Sequence, residues 1–278
     1  MSSENQFSSV VPGDQRASVS RLNKHKEAAS NASQLCQTER SRHLFTVKVH
    51  TLALSPMRQR VRRFTVTAQP DASLIGAVRP LGVRQAPPLR VYRDAVTTDE
   101  EAALVADANR FFKRKAFEEG HFDNVIVGYR EIQKSLSSFS DTSRTALQRL
   151  TAAIFPADCT LQPAHLLDLA PTGYIRRHVD HIEYSGAYIV GLSLLSDAVM
   201  TLHWEKEHEQ QVWLPLWLPR RSLYVLHGEA RYDWAHAIPQ DAAEWWPADN
   251  RAAVPVRTGR RLAVIFRDLP PDKQSSSA

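Results

Sequence analysis

The feature that most constrains this chain is a series of apolar runs framed by His178-Val179-Asp180 at one end and His236 at the other. The runs cover 186–195, 199–204, 212–218 and 222–226, each short enough for a strand and separated by polar or glycine-containing turns. The first is almost continuously apolar, as a strand covered on both faces should be. Pro215 cannot donate to a ladder, so the third run belongs at a sheet edge or carries a bulge. Side chains alternate along extended backbone, so His178 and Asp180 share a face. A last run, 261–267, carries an arginine at each end, Arg261 and Arg267.

A histidine two residues before an acid is weak evidence alone. His121/Asp123, His181/Glu183 and His203/Glu205 have the same spacing, and most such pairs are simply solvated. The downstream register singles out His178 and Asp180. A second histidine, His236, arrives on a later strand and completes two imidazoles and one carboxylate. Such a set leaves coordination positions open, as a non-haem iron(II) oxygenase requires. His181, adjacent to Asp180, points to the opposite face and is expected at the surface or behind the ligands. Arg261 and Arg267 share a strand face but sit roughly 20 Å apart by strand rise, so both must lean toward a common ligand to share it. Their planar, permanently charged forks suit a dicarboxylate.

Five motifs, in one order over 173–267, carry a family resemblance. They are Gly173-Tyr174-Ile175-x-x-His178-Val179-Asp180, Gly191-Leu192-Ser193-Leu194-Leu195-Ser196, Ser222-Leu223-Tyr224-x-Leu226-x-Gly228, Ala230-Arg231-Tyr232-Asp233, and Gly259-Arg260-Arg261 leading to Arg267. The chain resembles the AlkB family of iron- and 2-oxoglutarate-dependent dioxygenases, most closely its mitochondrial branch. The resemblance is weak before residue 160 and absent before residue 90. It implies an α+β fold, with a double-stranded β-helix (jelly roll) braced by N-terminal helices. It implies Fe(II) held by His178, Asp180 and His236, with 2-oxoglutarate and dioxygen as cosubstrates. Tyr224 would contact 2-oxoglutarate, Arg261 its distal carboxylate, and Arg267 would lie nearer the metal. One departure stands out. Nucleic-acid-repairing members carry Asn-x-Tyr on the strand before the His-x-Asp, where this chain has Leu167-Asp168-Leu169. The mitochondrial branch shares that change, and its implied roles bear on fatty-acid metabolism and regulated necrosis.

The net charge of +5 is unevenly spread. Residues 1–90 carry 14 Lys and Arg against 5 acids, and residues 91–278 carry 21 against 25. The basic character belongs to the first part, and the remainder, at −4, lacks the positive footprint that phosphate backbones demand. Two cysteines, Cys36 and Cys159, make neither a disulfide framework nor a metal spacing. No apolar run reaches the length of a membrane span. Residues 1–90 are expected to be a disordered tail and 91–278 the dioxygenase domain. Within the tail, 57–90 holds seven Arg and the single acid Asp71, the composition of a mitochondrial leader directing the chain to the matrix, with Met57 a candidate start.

The domain should open with a short strand near Val91 and a helix capped by Thr98 with Glu101, running to a stop at Gly120. A second helix starts at Asp141 and stops before Pro156. The strand leading to His178 starts by His165, which leaves too little chain after the second helix for a base-recognition lid of two hairpins. Residues 121–140 remain the place for a small one. The loop 239–258 is long and polar for a simple connection. Its Trp245-Trp246 pair is expected to pack on the barrel mouth, with a substrate lid as the alternative. The leading reading is a dioxygenase acting on a protein or other target that is not duplex DNA. A demethylase of methylated RNA or DNA, and a non-catalytic interaction module on the same fold, are its alternatives.

Overall fold

Strands expected from the apolar runs form, and all of their pairings are antiparallel. The computed structural model describes residues 69–80, 82, 84–206, 211–240, 244–245, 247–248, 254–255 and 259–274. The expected tail up to residue 68, including the first part of the leader, lies outside the described residues. Ten strands share one sheet. They are β1 (Leu89–Tyr92), β2 (Glu118–Gly120), β3 (Ile126–Lys134), β4 (Ala164–His178), β5 (Tyr188–Leu194), β6 (Ala198–Trp204), β7 (Trp213–Leu218), β8 (Leu223–His227), β9 (Trp234–Ile238) and β12 (Arg261–Arg267). Two short strands, β10 (Glu244–Trp245) and β11 (Val254–Pro255), pair with each other. Helices α1 (Thr98–Phe111) and α2 (Asp141–Ile154) precede β4.

The strand order β1-β8-β5-β12-β4-β9-β6-β7 places neighbours in space that are distant in sequence, as a jelly roll does. β4 belongs to both halves: its first part pairs with β12 and β3, and its end pairs with β9. The period of two then sorts the side chains. Val190, Leu192 and Leu194 of β5, with Leu262, Val264 and Phe266 of β12, meet Leu104, Ala108 and Leu147 of the two helices. Ile189, Ala263 and Ile265 face the other way, into an inner core with Leu167, Leu169, Met200 and Leu202. Buried on both faces, β5 and β12 are therefore apolar almost throughout.

Three sequence expectations need correction. Helix α1 is capped by Thr97 and Glu100, one residue earlier than expected; the Thr97 hydroxyl accepts from the Glu100 N–H and the Glu100 carboxylate from the Thr97 N–H. The chain offers two overlapping boxes, and Glu101 is needed elsewhere. Buried at 1% exposure, it accepts from the Leu195 N–H and from Arg220. Second, α1 ends at Phe111 and 118–120 is strand, because Phe112 turns into the helix–sheet core and β2 pairs with β3. Third, the fold begins before residue 91. Leu74 is fully buried, and 71–79 runs as a strap between the two ends of the sheet path. The Asp71 N–H donates to Val91 of β1 at 2.7 Å, while Gly76 and Arg79 donate to Pro215 and Trp213 of β7 at 2.8 and 2.7 Å. Pro215 thus sits on an edge strand, as its missing N–H requires, and the strap covers that edge.

Residues 121–125 form the turn of a single β2–β3 hairpin, laid on β4 before His178. Phe122 stands at its tip, 91% exposed. Within the long loop, Trp245 packs against Trp217 with ring centroids 5.3 Å apart and against Val199. Trp246 lies outside the described residues.

Candidate metal centre

His178 and His236 are cross-strand partners on β4 and β9, with ring centroids 4.3 Å apart. Asp180 follows the end of β4, and its Oδ1 lies 3.3 Å from His178 Nε2 and 3.9 Å from His236 Nε2. The three ligand atoms lie within 4.8 Å of one another, and among the described residues this is the one His/Cys/Asp/Glu group with that geometry. The His178 Nδ1 hydrogen is donated to the Arg176 carbonyl at 2.9 Å, which leaves the Nε2 lone pair aimed at the centre. Burial, with positive charge nearby, pushes the His236 pKa down to about 3, so its imidazole is a neutral donor at physiological pH. Burial alone would raise Asp180, but the Arg267 guanidinium beside it outweighs burial and holds the carboxyl well below its usual range. Two imidazoles and one carboxylate on the same side of a cavity fit an iron(II) ion that must also bind a bidentate cosubstrate.

His178 and His236 share a face as direct cross-strand partners, and a local irregularity brings Ile175 to the same cavity. The β4–β9 register shifts between Ile175 and His178, so both side chains line the same cavity although an unbroken strand would place them on opposite faces. Upstream, β4 crosses close to β3 where Gly173 meets Gly128: a Cβ at Gly173 would lie 2.3 Å from the Gly128 carbonyl oxygen. Beyond the strand, Arg231 ties down the turn that carries Asp180. Buried at 2% exposure, it donates to the Asp180 carbonyl at 2.8 Å and to the Ser185 carbonyl at 3.3 Å.

Arg261 and Arg267 lean inward as the strand-face argument demanded, and both line this cavity with Tyr224, His178 and His236. They mark its two ends. Arg267 Nε donates to Asp180 Oδ2 at 2.7 Å, which leaves Oδ1 toward the imidazoles. Arg261 Nε donates to Ser193 Oγ at 3.1 Å, and Arg261 also hydrogen-bonds Tyr224, whose hydroxyl burial pushes above its ordinary pKa. Tyr224 can lie flat across β5 because its cross-strand partner is Gly191; a Cβ there would come within 2.3 Å of the ring.

The rival histidines lie elsewhere. His181 is exposed beside Tyr184, with rings 6.1 Å apart. His121 and Asp123 pair with each other on the hairpin turn at 2.7 Å. His203 bonds Thr201, while Glu205 pairs with Arg177. In place of the repair enzymes' Asn-x-Tyr, Leu167 and Leu169 fill the inner core, and Asp168 turns to the other face between Arg130 and Arg260. Glu131 and His165 were given no site role by the sequence, and Ser193 and Arg231 entered only as members of motifs, without a role. Their hydrogen bonds depend on which strands pair, and no local pattern announces that.

The sequence model of the 2OG-Fe(II) oxygenase superfamily matches residues 128–267. The mouse alpha-ketoglutarate-dependent dioxygenase alkB homolog 7, mitochondrial, is 40% identical over 201 residues, covering 72% of this chain and 84% of that protein. The bovine protein of the same name is 42% identical over 176 residues, or 63% and 76% of the two chains. Among solved structures, a prolyl hydroxylase from Trichoplax adhaerens superposes with a TM-score of 0.44 at 9% identity, over 68% of this chain and 87% of that one. With two imidazoles and a carboxylate converging beside a cavity that also takes in two arginines, the chain belongs to the 2OG-Fe(II) oxygenase superfamily, in its AlkB homolog 7 branch, and is a 2-oxoglutarate-dependent dioxygenase with Fe(II) as its metal.

Proposed function

We propose that His178, Asp180 and His236 hold the Fe(II), that Tyr224, Arg261 and Arg267 hold 2-oxoglutarate, and that the enzyme hydroxylates a protein or small-molecule target other than duplex DNA. The observation that carries this is the single cavity whose wall contains all five of His178, His236, Tyr224, Arg261 and Arg267. When bound, iron and 2-oxoglutarate supply the oxidation: one oxygen atom of dioxygen enters succinate as carbon dioxide is lost, and the other enters a C–H bond of the target. The protein's part is placement. His178 and His236 offer their Nε2 lone pairs, and Arg267 keeps Asp180 ionised with one oxygen free. Arg261 offers a fork to the distal carboxylate, with the Tyr224 hydroxyl as a second donor. The buried floor of Leu167, Ile189 and Ile265 keeps bulk water from the reacting end.

Target class follows from what surrounds this cavity. One short hairpin, β2–β3, reaches the cavity through Ile126. The net charge of −4 over 91–278 gives no field that would draw a phosphate backbone. The expected result is slow succinate release by the purified protein without any target, and no added turnover with a methylated duplex oligonucleotide. Oxidation of that duplex coupled one-to-one to succinate would instead establish the demethylase reading.

The mouse and bovine relatives are named mitochondrial, and the Arg-rich, acid-poor stretch 57–90 supports the same compartment for this chain. A fluorescent protein fused behind residues 57–90 should enter mitochondria, and the same fluorescent protein without them should not. Diffuse fluorescence from the first fusion removes that assignment. A bearing on fatty-acid metabolism and regulated necrosis rests on the family resemblance alone.

A further inference from the structure

Arg267 does not face Asp180 alone. Its Nη1 lies 3.1 Å from His165 Nδ1, and His165 Nε2 lies 2.8 Å from Glu131 Oε2. A guanidinium carries donors only, so His165 Nδ1 must accept. The ring hydrogen is therefore on Nε2, where the Glu131 carboxylate takes it. That hydrogen bond is the first cause holding Glu131 below its ordinary pKa. Two partners thus fix one tautomer and one ring orientation. The row Glu131–His165–Arg267–Asp180 crosses from β3 through β4 and β12 to the carboxylate, and His165 itself lines the cavity.

The fork of an arginine prefers to grip both oxygens of a carboxylate through two parallel hydrogen bonds. That grip on Asp180 would occupy Oδ1, the oxygen nearest the imidazoles. Here Nε alone meets Asp180, at Oδ2, and the His165 contact at Nη1 fixes the plane of the guanidinium, so Nη2, which shares the Nε edge, is not turned onto Oδ1. We propose that His165, aimed by Glu131, is a positioning residue: it holds Arg267 to a one-handed contact and so keeps Asp180 Oδ1 available to the metal. The inference rests on the ligand assignment above and deepens it.

Full-length protein, stripped of metal, is titrated with Co(II) and followed by visible absorption. With Fe(II) loaded anaerobically, 2-oxoglutarate is then titrated through the charge-transfer band of the chelate. His165→Phe should weaken both bindings by about tenfold, the scale of one charge-assisted hydrogen bond. His165→Asn, whose side-chain oxygen can stand where Nδ1 stood, should recover most of both. Where His165→Phe does not fold, Glu131→Leu carries the same test, since an unaimed ring meets Arg267 only part of the time. Affinities within twofold of wild type in the folded variant overturn the inference, as does a His165→Asn variant no better than His165→Phe. If wild type itself takes up no Co(II), the ligand assignment falls and the inference with it. Normal uptake by wild type and His165→Phe alike removes this inference and leaves the ligand assignment standing.

Discussion

Asp180→Ala is expected to leave the purified protein without iron and without succinate release, and His178→Ala to do the same, while His181→Ala should keep both. The expected loss is complete because each ligand is one of three and the set has no spare: the rival histidines are held on other surfaces or by other partners. Asp180→Ala has a second effect. It strips Arg267 of its buried counter-charge, and breaking such a pair from one side costs about 3 kcal/mol. His178→Ala leaves the Arg267–Asp180 pair intact and should be much milder in thermal unfolding. Metal analysis of the three variants, beside unfolding midpoints, separates the two effects. Normal iron in folded Asp180→Ala would end the assignment.

Arg261→Met is expected to weaken 2-oxoglutarate binding by on the order of a hundredfold or more, the cost of removing one partner from a desolvated charge pair. Arg261 is 2% exposed and is tied to Ser193 and Tyr224, so its fork is already oriented before any ligand arrives. Arg261→Lys keeps the charge but not the fork, and loses the geometry by which both oxygens of a carboxylate are met. It should fall between the two, about tenfold weaker than wild type. Iron content should stay normal in both variants, because Arg261 lies at the end of the cavity away from Asp180. Equal cosubstrate affinity in wild type and Arg261→Met would show that the distal carboxylate binds elsewhere.

Strand identity was readable because burial on both faces writes itself into composition. The runs in β5 and β12 are apolar since one face meets the helices and the other the inner core. The shared face of Arg261 and Arg267 followed from the same period of two. What the period hid was its own interruption. Between Ile175 and His178 the register shifts, and no residue there is a glycine or proline that would mark it. The cap of α1 was misplaced by one residue because Thr97 and Thr98 both satisfy the local rule. The choice was made by a distant need, the Leu195 amide and Arg220 that Glu101 serves. Residues 69–80 were read as tail because they show no sustained helical or strand period and follow an Arg-rich stretch. Only the exposed edge of β7, invisible along the sequence, explains why Leu74 is buried there. The links among Glu131, His165 and Arg267 were illegible for the same reason: three side chains from three strands meet through pairings that the fold alone decides.

The strap at 71–79 also bears on what a single proteolytic cut would do. β7 is an edge strand, and Trp213 and Leu216 stand where the strap now pairs. Severed between residues 80 and 89 and lost, the strap would bare a row of unsatisfied amides and carbonyls beside an emptied Leu74 site. An open apolar edge is a template for a strand from another molecule. Trimming from the amino-terminal side is thus hazardous beyond Asp71. A chain shortened to residue 91, with every metal and cosubstrate residue intact, would carry a self-adhesive seam, and its failing would be clumping rather than lost chemistry.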